Sequence, residues 1–432
     1  MSGSMRYRLD NSGILHLALL RQDNSNTFRM TLELDEPVDP AVLQQALDAV
    51  ASRFPVIVAG IRPGLFEHYV VPATPPRVLP DTQTMRTMSA KEIRTCAMRV
   101  LYRGSRLSFE CFHSLTDGYG GFAFLRALVA EYYRLAHGLD CRANPMIPHP
   151  GQTLTEEEAR DDYITYAGGR STPFNHAGSW LPDAGRPVTE THTVVGRVPL
   201  SAALQTARQY GVSLTTLLAA VMVEAVMERQ QQTSAKPLRR VQLMMPINLR
   251  RRFPSVSLRN FSLYAFLGWE PQQNALPFAE RLALLDGQFR AQLTEEHLAG
   301  MMATNLSLSH HPVLRWVPLA LKCAGLRFGY HFFGARNSAL SLSNLGVWQF
   351  PPELAAHIRE ISVFLAPRVC APYNCGAVSY GDTLAVCLCR SCACPGLEPI
   401  FFRKLAALCG PLTLEVDGEW TDAAAWLQQH TL

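Results

Sequence analysis

The order of apolar and polar residues in the first third of the chain predicts strands separated by helices. The segment TFRMTLEL at Thr27–Leu34 has the β-branched and apolar content of a strand. After it, Asp39 is suited to cap a helix with Pro40 in its first turn, and apolar residues then recur at helical spacing. We further expect strands over 56–61 and 66–71, a hairpin over 98–112 that turns at Gly104 and Ser105, and an amphipathic helix over 122–135.

The rest of the chain repeats this alternation after a segment of weak periodicity. Residues 141–187 are rich in Gly, Pro, Asp and Thr, and we interpret them as a crossover between two lobes. The last part is expected to contain strands over 191–198, 241–250, 339–343, 361–365, 376–379 and 384–390, and helices over 201–210, 213–229, 278–326 and 399–408.

Length and composition indicate an α/β protein of two lobes. The 432 residues exceed one ordinary domain and fit an N-terminal lobe over 1–175 and a C-terminal lobe over 176–432. Apolar residues make up 48% of the chain and charged residues 18%, so a large packed core is feasible. The formal charge of +4 suits small anionic ligands but is too low for a nucleic-acid-binding surface, so we expect no nucleic-acid partner.

The sequence offers no targeting or membrane-spanning segment. Its N-terminus is polar and charged where a secretory signal would be apolar. The longest apolar run, over 214–226, includes polar residues and falls short of the roughly 20 residues that a bilayer requires. Eleven cysteines, an odd number, argue for reduced thiols in a chain without such a signal. We therefore expect a cytoplasmic protein with no membrane span.

The segment HSLTDG, over 113–118, carries the residues best suited to catalysis. It follows an apolar strand, and His113 lies four residues before Asp117. Asp117 is followed by Gly118, the first of several glycines, which let backbone and ligand approach closely. A neutral imidazole in a strand-to-helix turn is matched to accepting a proton at physiological pH. By spacing alone, a packed or surface histidine is the other interpretation.

Three segments of the sequence together resemble one enzyme superfamily. FHSLTDGYGG resembles the HxxxDG motif of the CoA-dependent acyltransferases, which include chloramphenicol acetyltransferase, alcohol acetyltransferases, wax ester synthases and the condensation domains of nonribosomal peptide synthetases. MPINLRRRFPSVSLRNF, over 245–261, is similar to the family's PVxxR segment and a following stretch that ends in Asn-Phe. SLSNLG, over 341–346, is similar to the strand that lines the family's tunnel opposite the histidine.

This resemblance implies a fold and a mechanism. The fold would be two chloramphenicol-acetyltransferase-like lobes in a V, with a tunnel at their interface and His113 midway along it. His113 would deprotonate the acceptor, which attacks the thioester carbonyl, and would then return a proton to the departing thiolate. Acyl-CoA would be the co-substrate, and no cofactor is expected to remain bound.

Asp117 has two interpretations. It could orient the imidazole, as the carboxylate of a catalytic triad does, or it could pair with a buried arginine. The resemblance favours the second, because Arg250 of PINLR matches the family's arginine position, and it makes Asp117, Gly118 and Arg250 structural residues of the active site. Condensation domains usually carry a second histidine where this chain has Phe112, which favours the acetyltransferase-like interpretation.

Two further pairs of residues are candidates for ligand contacts. Ser343 or Asn344 could donate a hydrogen bond to a tetrahedral oxyanion facing His113, or the two could only complete a strand. Arg251 and Arg252 are candidates to hold the phosphates of CoA, and a solvated turn is the alternative.

The run CLCRSCAC, over 387–394, contains four cysteines. Structural zinc sites usually combine separated ligand pairs, and no second Cys/His pair lies nearby in the sequence. On a strand, Cys387 and Cys389 project to the same face. We therefore expect packed, reduced thiols and no metal.

These observations favour an acyltransferase that moves an acyl group, such as acetyl, from acyl-CoA to an alcohol. N-acylation or carrier-protein-dependent condensation is the alternative within the same fold, and a binding protein without turnover is the alternative outside catalysis. The expected partners are acyl-CoA and a small-molecule acceptor, with a carrier protein as the less favoured donor.

Overall fold

The computed structural model describes residues 6–20, 25–173, 177–182, 187–309, 314–334, 336–367, 371–393 and 395–430. The helices are α1 (Asn11–Ala18), α2 (Pro40–Val50), α3 (Ala90–Thr95), α4 (Gly118–His137), α5 (Glu156–Ala159), α6 (Asp162–Tyr166), α7 (Leu200–Gln209), α8 (Leu214–Thr233), α9 (Phe278–Gln292), α10 (Glu295–Ser309), α11 (Leu319–Gly329), α12 (Pro352–Ala355), α13 (Glu398–Cys409) and α14 (Ala423–His430). The strands are β1 (Tyr7–Arg8), β2 (Thr27–Leu34), β3 (Ala59–Pro63), β4 (His68–Pro72), β5 (Leu79–Pro80), β6 (Met98–Arg103), β7 (Arg106–Phe112), β8 (Pro187–Pro199), β9 (Val241–Asn248), β10 (Ser262–Trp269), β11 (Leu342–Val347), β12 (Ile358–Leu365), β13 (Tyr373–Tyr380), β14 (Thr383–Cys392), β15 (Thr413–Val416) and β16 (Glu419–Thr421).

One sheet has five strands in the order β12–β2–β7–β6–β5. Its strands β6 and β7 form the hairpin predicted for 98–112, and Gly104 in the turn has a φ of +55°, which favours glycine. Helix α4 packs against β2, β7 and α2. Asp39 caps α2 as predicted, because its side chain accepts hydrogen bonds from two N–H groups of the first turn. This sheet and these helices enclose the first hydrophobic core.

A second sheet has six strands in the order β11–β13–β14–β8–β15–β16. Helix α8 is buried over most of its length and packs against α13, which contacts β8. The hairpin of β9 and β10 lies beside this sheet, where the N–H of Met244 donates to the carbonyl oxygen of Leu340 at 3.0 Å. These elements enclose the second hydrophobic core.

The two sheets meet where β12 packs against β13 and β14. Gly376 leaves room for this contact, because a Cβ there would lie 2.3 Å from the carbonyl oxygen of Val363. Strand β12 lies within the range predicted for the C-terminal lobe but pairs with β2, with Ile361 opposite Leu32. The lobe boundaries, the V arrangement and the tunnel remain predictions.

Some elements differ from those that the pattern predicts. The predicted helix over 278–326 is divided into α9, α10 and α11, and α11 begins directly after Pro318, which has no N–H to continue a helix. Helix α1 and strand β10 were not predicted. Among the described residues, no single helix is long and apolar enough to cross a membrane, and α7 and α8, which meet at 86°, pass that test only as a pair.

Candidate active site

His113 is the first residue after β7, in the turn that leads to α4. Its N–H donates to the carbonyl oxygen of Asn26 at 2.9 Å, which fixes the backbone at the end of the strand. The half-buried imidazole stacks on the ring of His16, with centroids 4.9 Å apart, and meets the ring of Phe28 edge-on at 5.2 Å. Packing on two sides therefore restricts the orientation of the imidazole.

A hydrogen bond from His113 to Asn260 selects one tautomer of the imidazole. The Nδ1 atom of His113 lies 3.2 Å from Oδ1 of Asn260. An amide oxygen only accepts hydrogen bonds, so Nδ1 carries the proton in this contact. The other ring nitrogen, Nε2, then presents a lone pair that can accept a proton.

A buried carboxylate orients the amide of Asn260. The Nδ2 atom of Asn260 donates to Oδ2 of Asp10 at 3.4 Å. The other oxygen of Asp10, Oδ1, accepts from the N–H of Gly13 at 2.7 Å, at the start of α1. Burial raises the pKa of Asp10 to about 7, while the guanidinium of Arg259, 3.6 Å away, acts in the opposite direction. His113, Asn260 and Asp10 thus form a continuous hydrogen-bonded chain.

Asp117 uses both carboxylate oxygens on structural partners. Oδ1 accepts from the N–H groups of Tyr119 at 3.0 Å and Gly120 at 3.3 Å, and so caps α4. Oδ2 accepts from Nη1 of Arg250 at 2.7 Å and from the N–H of Phe261 at 2.8 Å. Within the described residues the carboxylate makes no hydrogen bond to His113. These are the contacts of a residue that holds the turn.

Arg250 binds several groups besides Asp117. Its Nη2 atom donates to the carbonyl oxygens of Ser257 and Arg259, each at 2.7 Å, and its guanidinium lies 4.4 Å from the ring centroid of Tyr119. Arg250 therefore fastens the segment before Phe261 to the start of α4. Because Asn260 lies in that segment, the same contacts keep its amide beside His113.

Two glycines after Asp117 allow the turn to pack closely. A Cβ at Gly118 would lie 2.9 Å from Cδ2 of Leu345, in the strand of the SLSNLG segment. A Cβ at Gly120 would lie 2.2 Å from Oγ1 of Thr116 and 2.3 Å from the carbonyl oxygen of Leu258, so a larger residue there would displace the backbone. The glycines thus serve the packing of the turn against two other segments, those of Leu345 and Leu258.

A cavity of about 1800 Å³ opens at His113 and is lined mainly by apolar side chains. Most of the site residues that were predicted from the sequence line this cavity, whereas Arg250 does not. The predicted site residues on its lining are His113, Asp117, Gly118, Arg251, Arg252, Ser343 and Asn344.

The candidates for ligand contacts have different surroundings. Asn344 is engaged, because its Nδ2 donates to Oγ1 of Thr215 at 3.1 Å and its Oδ1 accepts from the N–H of Gly346 at 3.0 Å. The hydroxyl of Ser343 faces the same cavity and has no hydrogen-bond partner in the part of the chain that the structure describes. Arg251 and Arg252 are exposed, and neither is in an ion pair with a described carboxylate.

The cysteine run is packed against neighbouring strands. Cys387 and Cys389 are buried beside β12, and burial raises the pKa of the Cys387 thiol to about 12 and that of Cys389 well above its usual range. Cys392 lies in the second core and donates to Oη of Tyr373 at 3.5 Å, and Cys394 lies outside the described residues. Among the described residues no group of three or more His, Cys, Asp or Glu side chains is arranged to hold a metal ion. The absence of zinc stays a prediction.

Four residues around the cavity were not assigned a role from the sequence. Asn260 belongs to the quoted Asn-Phe pair, but nothing in the pattern connects it to His113. Asp10 caps α1 and His16 belongs to it, and this helix is too short for its periodicity to stand out. Arg126 lies on α4 eight residues after Gly118, and this spacing on a helix was the available signal.

Comparison with known proteins places the fold. No model of a known protein family and no curated protein matches the sequence. TRI101 of F. sporotrichioides, solved with coenzyme A and T-2, matches with a TM-score of 0.62 at 12% identity, over 94% of this chain and 97% of that chain. Polyketide synthase associated protein 5 from Mycobacterium tuberculosis matches with a TM-score of 0.58 at 14% identity, over 95% and 99%. The first condensation domain of the calcium-dependent antibiotic synthetase matches with a TM-score of 0.59 at 14% identity, over 94% and 97%.

The chain therefore has the CoA-dependent acyltransferase and condensation-domain fold, as the resemblance of its three segments predicted. Likeness at this level of identity establishes the fold. The activity has to be inferred from the residues around His113.

Proposed function

We propose that this protein is an acyltransferase that moves an acyl group, such as acetyl, from an acyl-CoA thioester to an alcohol, with His113 as the general base. The observation that carries the proposal is the hydrogen bond between Nδ1 of His113 and Oδ1 of Asn260, at 3.2 Å, beside a cavity of about 1800 Å³. Because Nδ1 donates a hydrogen bond to Asn260, Nε2 is supported as the atom that takes up the proton.

The reaction follows from this assignment. Nε2 of His113 accepts the proton of the acceptor hydroxyl while the oxygen attacks the thioester carbonyl. When the tetrahedral intermediate collapses, the C–S bond breaks and the imidazolium returns the proton to the thiolate. The amide oxygen of Asn260, which Asp10 orients, stabilises the imidazolium, and proton transfer of this kind accelerates a reaction by about 10²–10⁴-fold.

The other residues have supporting roles. The hydroxyl of Ser343 is better suited than the amide of Asn344 to donate to the oxyanion, because the amide nitrogen already donates to Thr215. Arg251 and Arg252 contact the phosphates of CoA. Asp117, Gly118 and Arg250 hold the turn, and donor and acceptor reach His113 from opposite ends of a tunnel between the lobes 1–175 and 176–432.

Release of free thiol from acyl-CoA tests this proposal. Acyl-CoAs of increasing chain length are incubated with the protein and a panel of alcohols, and release is expected to depend on an added alcohol. His113→Ala is expected to lower the rate by at least about 10²-fold with little change in Tm, because a half-buried imidazole contributes little packing. His137→Ala, at the far end of α4, is the matched control and should retain the wild-type rate. Full turnover by folded His113→Ala would refute the general base.

The likeness to a condensation domain favours a second candidate, transfer to an amine or from a carrier protein. The same assay distinguishes it by offering amines as acceptors and an acyl-loaded carrier protein as donor. If acyl-CoA is inert while the loaded carrier protein reacts, the donor is a carrier protein and the role of His113 stands.

A further inference from the structure

A cation lines the cavity on the same helix that follows the HSLTDG turn. Arg126 lies in the third turn of α4 and faces the cavity together with Gly118 and Phe122. Residues four apart share one face of an α-helix, so these three form a single stripe. At about 1.5 Å of rise per residue, Arg126 is about 12 Å along the helix axis from Gly118.

Within the described residues, no carboxylate supplies a counter-charge to Arg126. Its Nη1 atom donates to the carbonyl oxygen of Met146 at 3.0 Å, and its buried Nε has no hydrogen-bond partner within the described residues. None of the carboxylates described by the structure forms an ion pair with it, and burial lowers the pKa of Arg126. A cation removed from water without a partner carries a free-energy cost, which a bound anion would offset.

Other arginines on the same cavity show what a paired cation looks like there. Arg8 and Arg53 each lie 2.5 Å from a carboxylate oxygen, of Glu67 and Glu158 respectively. Arg126 differs from both, because its only protein hydrogen bond in the described part goes to a backbone carbonyl.

The guanidinium plane of Arg126 is held in place by aromatic rings. Its Cζ atom lies 4.2 Å from the ring centroid of Phe122, and that ring stacks on Trp348 with centroids 3.7 Å apart. All three side chains line the cavity. Because Nη1 is engaged and Nε is buried, Nη2 is the guanidinium nitrogen left for a ligand, and its N–H groups can donate to an oxygen of a carboxylate or phosphate.

We propose that Arg126 binds an anionic oxygen group, a carboxylate or a phosphate, of one of the two substrates of the acyl transfer. The inference deepens the proposed function and rests on it for the nature of the ligand. The stacked guanidinium fixes one end of that substrate about two helical turns from the start of α4, while the reacting group lies at His113.

Binding measured without turnover tests the inference. Dissociation constants are determined by calorimetry for the wild type, Arg126→Gln and Arg126→Lys, with three pairs of probes, in each of which one member carries anionic groups that the other lacks. The pairs are coenzyme A and pantetheine, succinyl-CoA and acetyl-CoA, and an ω-hydroxy fatty acid and its methyl ester. Arg134→Gln is the matched control, because Arg134 lies two turns further along α4, is paired with Glu131 and does not line the cavity.

In one pair, Arg126→Gln is expected to raise the Kd of the probe with the additional anionic group by about ten- to a hundred-fold and to leave that of the other member unchanged. Arg126→Lys should restore part of the loss. The affected pair identifies the source as the CoA phosphate, the acyl group or the acceptor. Binding that is equal in wild type and Arg126→Gln for all three pairs would overturn the inference alone, whereas a wild type that binds no probe contradicts the proposed function as well.

Discussion

Two arginines near α4 have contrasting surroundings: Arg250 contacts the start of the helix, and Arg126 lies in its third turn. Arg250 binds the carboxylate of Asp117 and two backbone carbonyls, and both side chains of that pair are only 6% exposed. Arg126 binds one carbonyl and, among the described residues, no carboxylate. A buried cation whose hydrogen bonds are satisfied by the protein stabilises the fold, whereas one without a counter-charge is retained at a cost. The contrast separates residues that build the site from residues that receive a ligand.

The largest effect is expected from breaking the pair at the start of α4. Asp117→Asn keeps a capping side chain but leaves Arg250 without its counter-charge, so the free energy of unfolding should fall by about 3–5 kcal/mol. Arg250→Ala should lower the free energy of unfolding by a similar amount. The loss in the double variant should be smaller than the sum of the two single losses, with a coupling energy between the residues of about 0.5–3 kcal/mol. Urea denaturation measures all three. The exposed pair of Asp140 and Arg142 is the control, and Asp140→Asn should leave the free energy of unfolding close to that of wild type. Additive losses in the double variant would contradict the pairing.

The next effect concerns the amide that Arg250 holds beside His113. Asn260→Ala removes the acceptor at Nδ1, and kcat should fall by about ten- to a hundred-fold with little change in KM, because the imidazolium loses a hydrogen bond. Asn260→Asp places a negative charge at Nδ1, so the acidic limb of the kcat/KM profile should move to higher pH. A pH profile that is the same in Asn260→Asp and wild type would show that Asn260 does not act through His113.

Asp10, at the end of the same hydrogen-bonded chain, should make stability depend on pH. Its pKa is raised from 3.8 to about 7 in the folded protein, so the folded state binds the proton more tightly than the unfolded state. The contribution is complete below the unfolded pKa and is lost as the pH rises through about 7. The stability of wild type relative to Asp10→Asn should therefore decline between pH 4 and pH 7. A difference that does not vary with pH in this range would contradict the raised pKa.

The smallest effect is expected at the other arginine, and it completes the comparison. Without ligand, Arg126→Gln should leave the free energy of unfolding within about 0.5 kcal/mol of wild type or raise it, because it removes a cation that has no counter-charge among the described residues. Arg250→Gln, measured beside it by urea denaturation, should be strongly destabilised. Equal destabilisation of the two variants would remove the distinction drawn between the two arginines.

The sequence predicted the local elements where one face of each is buried. The hairpin of β6 and β7 follows alternation on both sides of Gly104, and α2 follows the capping signal of Asp39. The pairing of β12 with β2 was not predictable in the same way, because it joins residues more than 300 positions apart and depends on both sheets being formed. Strand β10 is paired on one side only in the described part, and its pattern gave no comparable signal.

For the site, the motif resemblance identified His113, Asp117 and Arg250, and the structure brings the last two into contact. The chain from His113 through Asn260 to Asp10 joins three separate segments, so no spacing in the sequence could indicate it. Arg126 was visible as a cation on an amphipathic helix. That no described carboxylate pairs with it follows only from the packing around it.

The position of β12 also determines when the first sheet can be finished during synthesis. Strand β2 has β7 on one side soon after Phe112 is made, but its partner on the other side ends at Leu365, about 250 residues later. At a translation rate of about 5–20 residues per second, one edge of β2 stays open for roughly 13–50 s. An open edge of a sheet can pair with another nascent chain. We therefore expect β2 to need protection on the ribosome until β12 has been made. We also expect aggregation to slow when translation is fast.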